Sequence, residues 1–424
     1  MTDRSVTPPR TKQELAELLH LFLDIGEAIH GAGGEIFRVE DTITRLGAAY
    51  GAIRTDVFAI TSSLEVTMLF PGDIELTRTR RLRGSANDLH RIEAYNNLSR
   101  RCCANPMSVD ELRAAIRECD RSGSMLPIYL GSALAGGAFA VFFGGDLQDG
   151  VVAALFGLFI CFLQAALPRI CPNAVTTNFL AALLSGVGVC LLALIFPSLN
   201  PHKILIGDIM LLIPGISLTV AIRNVLVGDT IAGILRLVES ILFAAALAGG
   251  FLTAMSLIPT GALQENVWGD DVWLVQLITG TLGSVGFAAI FRLRHRFLPL
   301  AALGGFLNWG CYLVCFHFTG EIFLSCLIAS GLSCLYAELL AMRLRAPAPL
   351  FLIPAFIPSI PGSNLYYTLE AVVRRDSAAI TSNAVTTGLW AFGIAAGISA
   401  VWASFAMARN IIRLYRTTHH AKKN

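Results

Sequence analysis

The chain has 424 residues, of which 54% are hydrophobic and 15% are charged, and its mean hydropathy is +0.63. Soluble proteins are rarely so apolar, so the composition indicates a polytopic membrane protein. The net charge of +2 gives no indication of a nucleic-acid partner. The ten cysteines include no CxxC pair, so we expect reduced structural thiols, with no metal site and no cofactor.

Charge is concentrated at the beginning of the chain. Residues 1–124 contain 16 of the 32 Lys and Arg residues and 18 of the 30 Asp and Glu residues. This distribution predicts a soluble domain over 1–124 that precedes a membrane domain. The first residues are polar and lack the apolar run of a signal peptide. We therefore expect the soluble domain to lie in the cytoplasm.

The soluble domain is predicted to have an α/β or α+β fold. Alternating apolar residues and turn signals mark its strands, and helical apolar stripes mark its helices. Ser108 is the expected N-cap of the last helix, with Glu111 completing a capping box. We predict helices over 11–31, 34–50, 85–103 and 108–121, and strands over 56–70 and 73–79.

A polar motif follows the glycine-rich turn at 31–34. Glu35, Arg38 and Asp41 share one helix face at spacings of three residues, and Glu40 lies beside them. Two interpretations stay open: a solvated helix with ion pairs, or a polar site for a ligand or for contact with the membrane domain. The turn is not a P-loop, because the Lys-Ser/Thr of that motif is missing.

Ten apolar runs follow the soluble domain, each long enough to cross about 30 Å of hydrocarbon. They predict a polytopic α-helical membrane protein with about ten spans. The runs lie near 126–144, 150–167, 174–196, 204–222, 230–257, 272–291, 298–316, 321–342, 350–372 and 378–408.

A segment of the membrane domain occurs twice. An ungapped offset of 147 residues aligns 213–250 with 360–397 and gives 12 identities in 38 positions. Paired helix breaks in corresponding halves of a membrane protein indicate a transport site. The identities include a Pro-Gly break and a following Asp in each copy: Pro214, Gly215 and Asp229, then Pro361, Gly362 and Asp376.

The same offset carries the first five spans onto the last five. It predicts two five-helix repeats, 125–258 and 271–417, and an odd number of spans inverts the second repeat. The Lys and Arg content of the loops agrees with this inversion. It predicts an inner-membrane protein with both termini in the cytoplasm. Arg374 and Arg375 do not fit this orientation, because they follow the ninth span and would therefore face the outside of the membrane. Three alternatives stay open: they line a cavity, they pair with Asp376 and Glu370, or the ninth span is re-entrant.

Ionisable residues within apolar spans are costly, so each requires a partner or a function. Arg236 and Glu239 share a helix face. Either they form a structural ion pair, or Arg236 binds a carboxylate while Glu239 exchanges a proton. Asn308 is either a cavity group or an interhelical hydrogen-bond partner. The candidate proton-coupling residues are Asp208, Asp229, Glu239 and Asp376.

Each Pro-Gly break frees backbone amides and carbonyls, which is tolerated at membrane depth only around a cavity. The helix N-terminus after the break favours a carboxylate. A zwitterionic amino acid requires such donors together with acceptors for its ammonium group. For the polar side chains beside the breaks, local capping is an equal alternative. The candidate substrate-binding residues are Pro214, Gly215, Ser217, Arg236, Pro361, Gly362, Ser363 and Asn364.

Three segments resemble motifs of the threonine/serine exporter family: Gly33 to Ile43, and the Ile-Pro-Gly sequences at 213–215 and 360–362. The resemblance covers essentially the whole chain and implies a cytoplasmic domain followed by ten spans. It also implies export of threonine and serine, driven by the proton gradient. We therefore predict a secondary transporter in the lipid bilayer with a small amino acid or carboxylate as its substrate, and assembly into a homo-oligomer stays open.

Two alternatives are kept beside this prediction. In the same family, similar halves encoded as two proteins are associated with dicarboxylate export. A succinate exporter would depend more on Arg223, Arg236, Arg374 and Arg375. A membrane-anchored hydrolase would use Glu35, Glu40 and Asp41 as acids. The sequence shows no nucleophile–base pair, so we predict no enzyme and no catalytic residue.

Overall fold

The computed structural model describes residues 11–82, 87–120, 123–212, 215–226, 228, 230–258 and 272–421. The chain divides into two compact units, residues 1–123 and residues 124–424. The first unit is a small α+β domain, and the second is built from helices.

Four helices and one antiparallel sheet make up the described residues of the first unit. The sheet has the order β1-β2-β3, so each strand pairs with its neighbour in sequence. The prediction of a single strand over 56–70 is wrong, because a turn at residues 61–62 divides it and Ile60 pairs with Ser63. The elements are α1 Lys12–Gly31, α2 Ile36–Ala49, β1 Arg54–Ile60, β2 Ser63–Phe70, β3 Ile74–Arg81, α3 Leu89–Ala104 and α4 Val109–Cys119.

The alternation of buried and exposed residues along β2 explains how the sheet packs in this unit. Leu64, Val66 and Met68 are buried, whereas Glu65 on the opposite face is exposed. One face of the sheet therefore packs against the helices and the other meets solvent. The predicted capping box of α4 is confirmed, since Ser108 and Glu111 each bond the other's backbone amide. The hydrogen bonds that the Ser108 amide and hydroxyl donate to the Glu111 carboxylate lower the pKa of Glu111.

The second unit contains only helices among its described residues. Short 3₁₀ segments extend three of them at 167–169, 295–297 and 357–359. The helices are α5 Leu126–Phe142, α6 Leu147–Ala166, α7 Ala174–Ile195, α8 Pro201–Leu212, α9 Gly215–Leu226, α10 Thr230–Leu257, α11 Val272–Ile290, α12 Leu298–Thr319, α13 Ile322–Leu344, α14 Pro349–Phe356, α15 Gly362–Arg374 and α16 Ser377–Ala421.

Several of these helices are long and apolar enough to cross a membrane. In the described part of the chain, seven pass this test by themselves, and α8 with most of α9 forms an eighth candidate bent by 50°. Shorter apolar helices cover Leu126–Phe142 and Pro349–Ser359. The chain is therefore a multi-pass membrane protein. The predicted total of ten spans stays a prediction.

Glycines allow the same close helix packing at two places separated by 147 residues. Helix α7 packs along α10, and α13 packs along α16. A Cβ atom on Gly250 would lie 2.5 Å from the carbonyl oxygen of Phe179. A Cβ atom on Gly397 would overlap the carbonyl oxygen of Leu327. Small residues let membrane helices approach closely, because their backbones can touch. Gly250 aligns with Gly397 in the repeated segment, so this pair of glycines is one of its identities.

We expect Gly250→Ala and Gly397→Ala each to destabilise the protein by about 1–3 kcal/mol relative to Gly249→Ala, because the new methyl group overlaps backbone atoms. Gly249 is the matched control, since a Cβ there lies 3.6 Å from the nearest atom, on the Phe179 ring. All three variants gain the same helix propensity. Thermal denaturation in detergent measures the difference. Equal midpoints for the three variants would contradict the packing described here.

Candidate functional site

Two helix breaks lie at the positions that the sequence predicts. Helix α8 ends at Leu212 and α9 begins at Gly215. The second break separates the 3₁₀ segment ending at Ser359 from α15, which begins at Gly362 directly after Pro361. The first amides of a helix have no partner within it, so each break presents donors at the start of α9 or α15. Pro214 lies outside the described residues.

The helices that follow the two breaks meet in one apolar cluster. Its buried members are Leu218 of α9, Leu365 of α15, Ala244 of α10 and Ala391 of α16. Leu365 lies 147 residues after Leu218, and Ala391 lies 147 residues after Ala244. Each half of the chain therefore contributes equivalent residues to a shared centre, with the helix starts at Gly215 and Gly362 one turn away along α9 and α15.

Asp208 is a fully buried acid six residues before the first break. Its side chain is 0% exposed, and Ser185 of α7 donates a long hydrogen bond of 3.4 Å to Oδ2. Oδ1 has no hydrogen-bond partner among the residues that the structure describes. An ionised carboxylate with so little compensation is costly in an apolar interior. A proton, or a cationic group of a ligand, would remove that cost.

A hydrogen-bonded group of three residues holds the second break. Ser359 donates to Asn308 Oδ1 over 2.5 Å, and Asn308 Nδ2 donates to Ser333 over 3.0 Å. All three side chains are at most 1% exposed. Helices α12 and α13 are thereby tied to the chain three residues before Gly362. Of the two interpretations kept for Asn308, the interhelical hydrogen bond is the one observed.

We expect Asn308→Ala to destabilise the protein by about 1–3 kcal/mol, because the buried Ser359 hydroxyl loses its acceptor. Asn383→Ala on α16 is the control, since that side chain is only half-buried. The midpoint of thermal denaturation in detergent measures the effect. A midpoint for Asn308→Ala equal to that of the control would show that the bond does not hold the break.

Arg223 connects the two halves and was given a role only under the dicarboxylate alternative. It lies on α9 with 8% of its surface exposed. Its guanidinium stands 5.6 Å from the ring centroid of Trp402 on α16 and interacts electrostatically with Glu338 on α13. The aromatic face offsets part of the cost of burying this cation, and the two interactions link the first broken helix to two helices of the second half.

The other predicted membrane residues occupy varied environments. Ser217, Ser363 and Asn364 are half-buried beside the breaks. On α10, Arg236 is half-buried, whereas Glu239 is exposed on the helix surface. Asp376 is exposed and accepts the Ala379 amide over 3.1 Å, which caps α16. Asp229 lies outside the described residues.

The polar motif of the first unit takes part in structural contacts. Glu35 and Arg38 are 3.7 Å apart, and Asp41 pairs with Arg45 at 2.9 Å. Glu40 accepts the Ala59 amide over 3.1 Å and so joins α2 to β1. Gly33 precedes the helix with a φ of 92°, a conformation that glycine adopts without strain. The ligand-binding interpretation of this motif stays a prediction.

An aromatic group beside the second break was missed at the sequence level. Trp309, Tyr312 and Trp390 stack on one another, with ring centroids 4.6 to 6.2 Å apart. Trp309 directly follows Asn308 on α12, and Trp390 lies on α16. Aromatic residues in an apolar span resemble ordinary core residues, so the only sequence signal was the unusual density of Trp and Tyr at 309–312.

The described residues contain no cluster of His, Cys, Asp or Glu arranged to hold a metal ion. The ten cysteines are free thiols. Burial raises the pKa of Cys102 and of Cys119 in the first unit. Unreactive thiols are therefore expected at these two positions, because the thiolate is the nucleophilic form.

Converging broken helices, a buried acid and membrane-length helices define the class of polytopic membrane transporters. Two family models match the chain. One is described as "Putative threonine/serine exporter" and matches residues 20–258, and the other as "Threonine/Serine exporter, ThrE" and matches residues 276–403. The chain belongs to the threonine/serine exporter family. No solved structure matches it.

Proposed function

We propose that the protein is a proton-coupled secondary exporter of threonine and serine. The observation that carries the proposal is the shared cluster of Leu218, Leu365, Ala244 and Ala391, because it places both broken helices around one centre. Broken helices that meet near the middle of a membrane domain are typical of secondary transporters. Family membership supports the choice of substrate.

We further propose that ten spans form two inverted repeats, 125–258 and 271–417, behind a cytoplasmic domain over 1–124. The bent pair α8–α9 and the chain over 349–374 supply the broken fourth span of each repeat. The paired packing of α7 with α10 and of α13 with α16 supports the duplication. With both termini in the cytoplasm, the basic loops face the inside of the inner membrane.

Backbone amides in the first turns that begin at Gly215 and Gly362, together with Ser217, Ser363 and Asn364, are the proposed polar contacts of the substrate. The Gly362 amide itself donates to the Ile360 carbonyl over 2.7 Å. Helix N-termini favour the carboxylate of an amino acid, and the hydroxyl and amide side chains suit the substrate's own hydroxyl. Arg236 is a weaker candidate because it lies on α10 and on neither of the broken helices. Pro214 and Pro361 act by interrupting the helices.

Asp208 is the proposed proton-coupling residue. It is the fully buried acid nearest to the first break, and one of its oxygens has no partner in the described chain. Glu239 is exposed and Asp376 caps a helix, so both are weaker candidates. Asp229 is retained from the sequence alone.

Counterflow in proteoliposomes tests the function. Vesicles loaded with unlabelled threonine receive labelled threonine outside, and serine and succinate are added separately as competitors. We expect uptake of label that serine blocks and succinate does not. Vesicles reconstituted with protein denatured beforehand give the background, since protein-independent leakage would be the same in both.

Inhibition by succinate would replace the amino-acid substrate with a wider class of carboxylates. The dicarboxylate alternative would then regain weight, and Arg223 would be the cation to examine first. Absence of uptake by folded, monodisperse protein would overturn threonine as the substrate.

A further inference from the structure

Trp309 contains a buried hydrogen-bond donor without an acceptor. The side chain is 5% exposed, and Nε1 has no partner in the part of the chain that the structure describes. A buried tryptophan N–H normally finds an acceptor, and an unsatisfied donor costs about 1–3 kcal/mol. An unused donor within a transporter therefore points to a ligand that supplies the acceptor.

The surroundings of this donor suit a particular kind of ligand. Tyr312 lies 4.8 Å from the Trp309 ring and 4.6 Å from Trp390, measured between ring centroids. Aromatic faces attract ammonium groups, whereas they offer nothing to a second carboxylate. A zwitterionic amino acid therefore matches an indole N–H beside aromatic rings better than a dicarboxylate does.

The aromatic group lies at the level of the second break. The residue before Trp309, Asn308, is bonded to Ser359 three residues before Gly362. Trp309 also contacts Phe142 of α5, with 4.8 Å between ring centroids. Phe142 also lines a cavity of about 150 Å³ between α5 and α11, opposite Gln276.

We propose that Trp309 Nε1 donates to the carboxylate of a transported amino acid, whose ammonium group lies against the rings of Tyr312 and Trp390. This inference rests on the proposed transport function. It assigns substrate recognition to α12 and α16 in addition to the broken helices. A free α-carboxylate is then required for tight binding, and its loss weakens binding even when the side-chain hydroxyl is kept.

Trp309→Phe tests the inference because it removes the N–H and keeps an aromatic ring. We expect the KM for threonine counterflow to rise about 10- to 100-fold, the range for losing a hydrogen bond to a charged group, with little change in kcat. Trp273→Phe is the matched control, since Trp273 is 55% exposed at the start of α11. Wild-type protein without counterflow would contradict the proposed function. Active wild type with an unchanged KM in Trp309→Phe would overturn this inference alone.

A second measurement needs no variant. The chain has five tryptophans, so the ¹⁵N-labelled protein in detergent has five indole N–H resonances. We expect threonine to shift one of them strongly and threoninamide, which lacks the carboxylate, to leave it nearly unchanged. Equal shifts with both compounds, or none with threonine in protein that shows counterflow, would overturn the assignment.

Discussion

Asp208→Asn is expected to abolish proton-driven accumulation of threonine while leaving counterflow intact. The amide keeps the size of the buried side chain but cannot take up or release a proton. One pH unit supplies about 1.4 kcal/mol per proton, or about tenfold in concentration. In vesicles that are acidic inside by one unit, wild-type protein should therefore accumulate threonine about tenfold. The Asp208→Asn protein should only equalise the concentrations.

Glu239→Gln is the matched control for this experiment, because Glu239 is an exposed acid on α10. It should accumulate threonine as wild type does. The assignment of Asp208 fails if its asparagine variant still accumulates threonine against the gradient. If Glu239→Gln loses accumulation instead, Glu239 on the exposed surface of α10 is the proton-coupling residue.

Arg223→Met should shift the equilibrium between the conformations of the transporter and lower the counterflow rate. The contact of Arg223 with Trp402 joins α9 to α16, and its charge also interacts with that of Glu338 on α13. Movement of the halves against each other would break it. A buried cation with these partners contributes about 1–2 kcal/mol, so its loss changes the populations about 5- to 30-fold.

Maleimide labelling of Cys334 measures this shift. Cys334 is 2% exposed and lies within the electrostatic range of Arg223. In a background where Cys334 is the remaining cysteine, Arg223→Met should accelerate labelling. Arg343→Met, at an exposed arginine on the same helix as Cys334, should not. Unchanged labelling and unchanged counterflow would show that Arg223 does not join moving parts.

Much of the architecture follows from the sequence because it depends on local patterns. Hydropathy marked the helices, and Pro-Gly marked both breaks, since proline lacks the amide that a continuing helix needs. The turn that separates β1 from β2 was missed because Thr61 and Ser62 are common strand-compatible residues without Gly or Pro. Helix α16 extends beyond the predicted 408 to Ala421, since its polar end continues without a breaking residue.

The site was less accessible to sequence reasoning because its partners are distant in the chain. Asp208 was singled out because an acid in an apolar run is conspicuous. Asn308 acquires a specific role only when Ser359, 51 positions away, is placed beside it. Trp309 is conspicuous only once its surroundings show that no described acceptor reaches its N–H. The exposure of Glu239 depends on how α10 is rotated, which its short spacing to Arg236 did not determine.

The polar groups at the two breaks make the halves non-interchangeable. Counting 147 residues back from Asn308 and Ser359 leads to Cys161 and Leu212, and counting forward from Asp208 leads to Ala355. A homodimer of first halves would therefore have two copies of Asp208 and no Asn308–Ser359 hydrogen bond at its breaks. A homodimer of second halves would have two such hydrogen bonds and no equivalent of Asp208. Under the proposed duplication, each copy has acquired polar groups that the other lacks, so we expect a chain separated between the proposed repeats to work only when both products are made together.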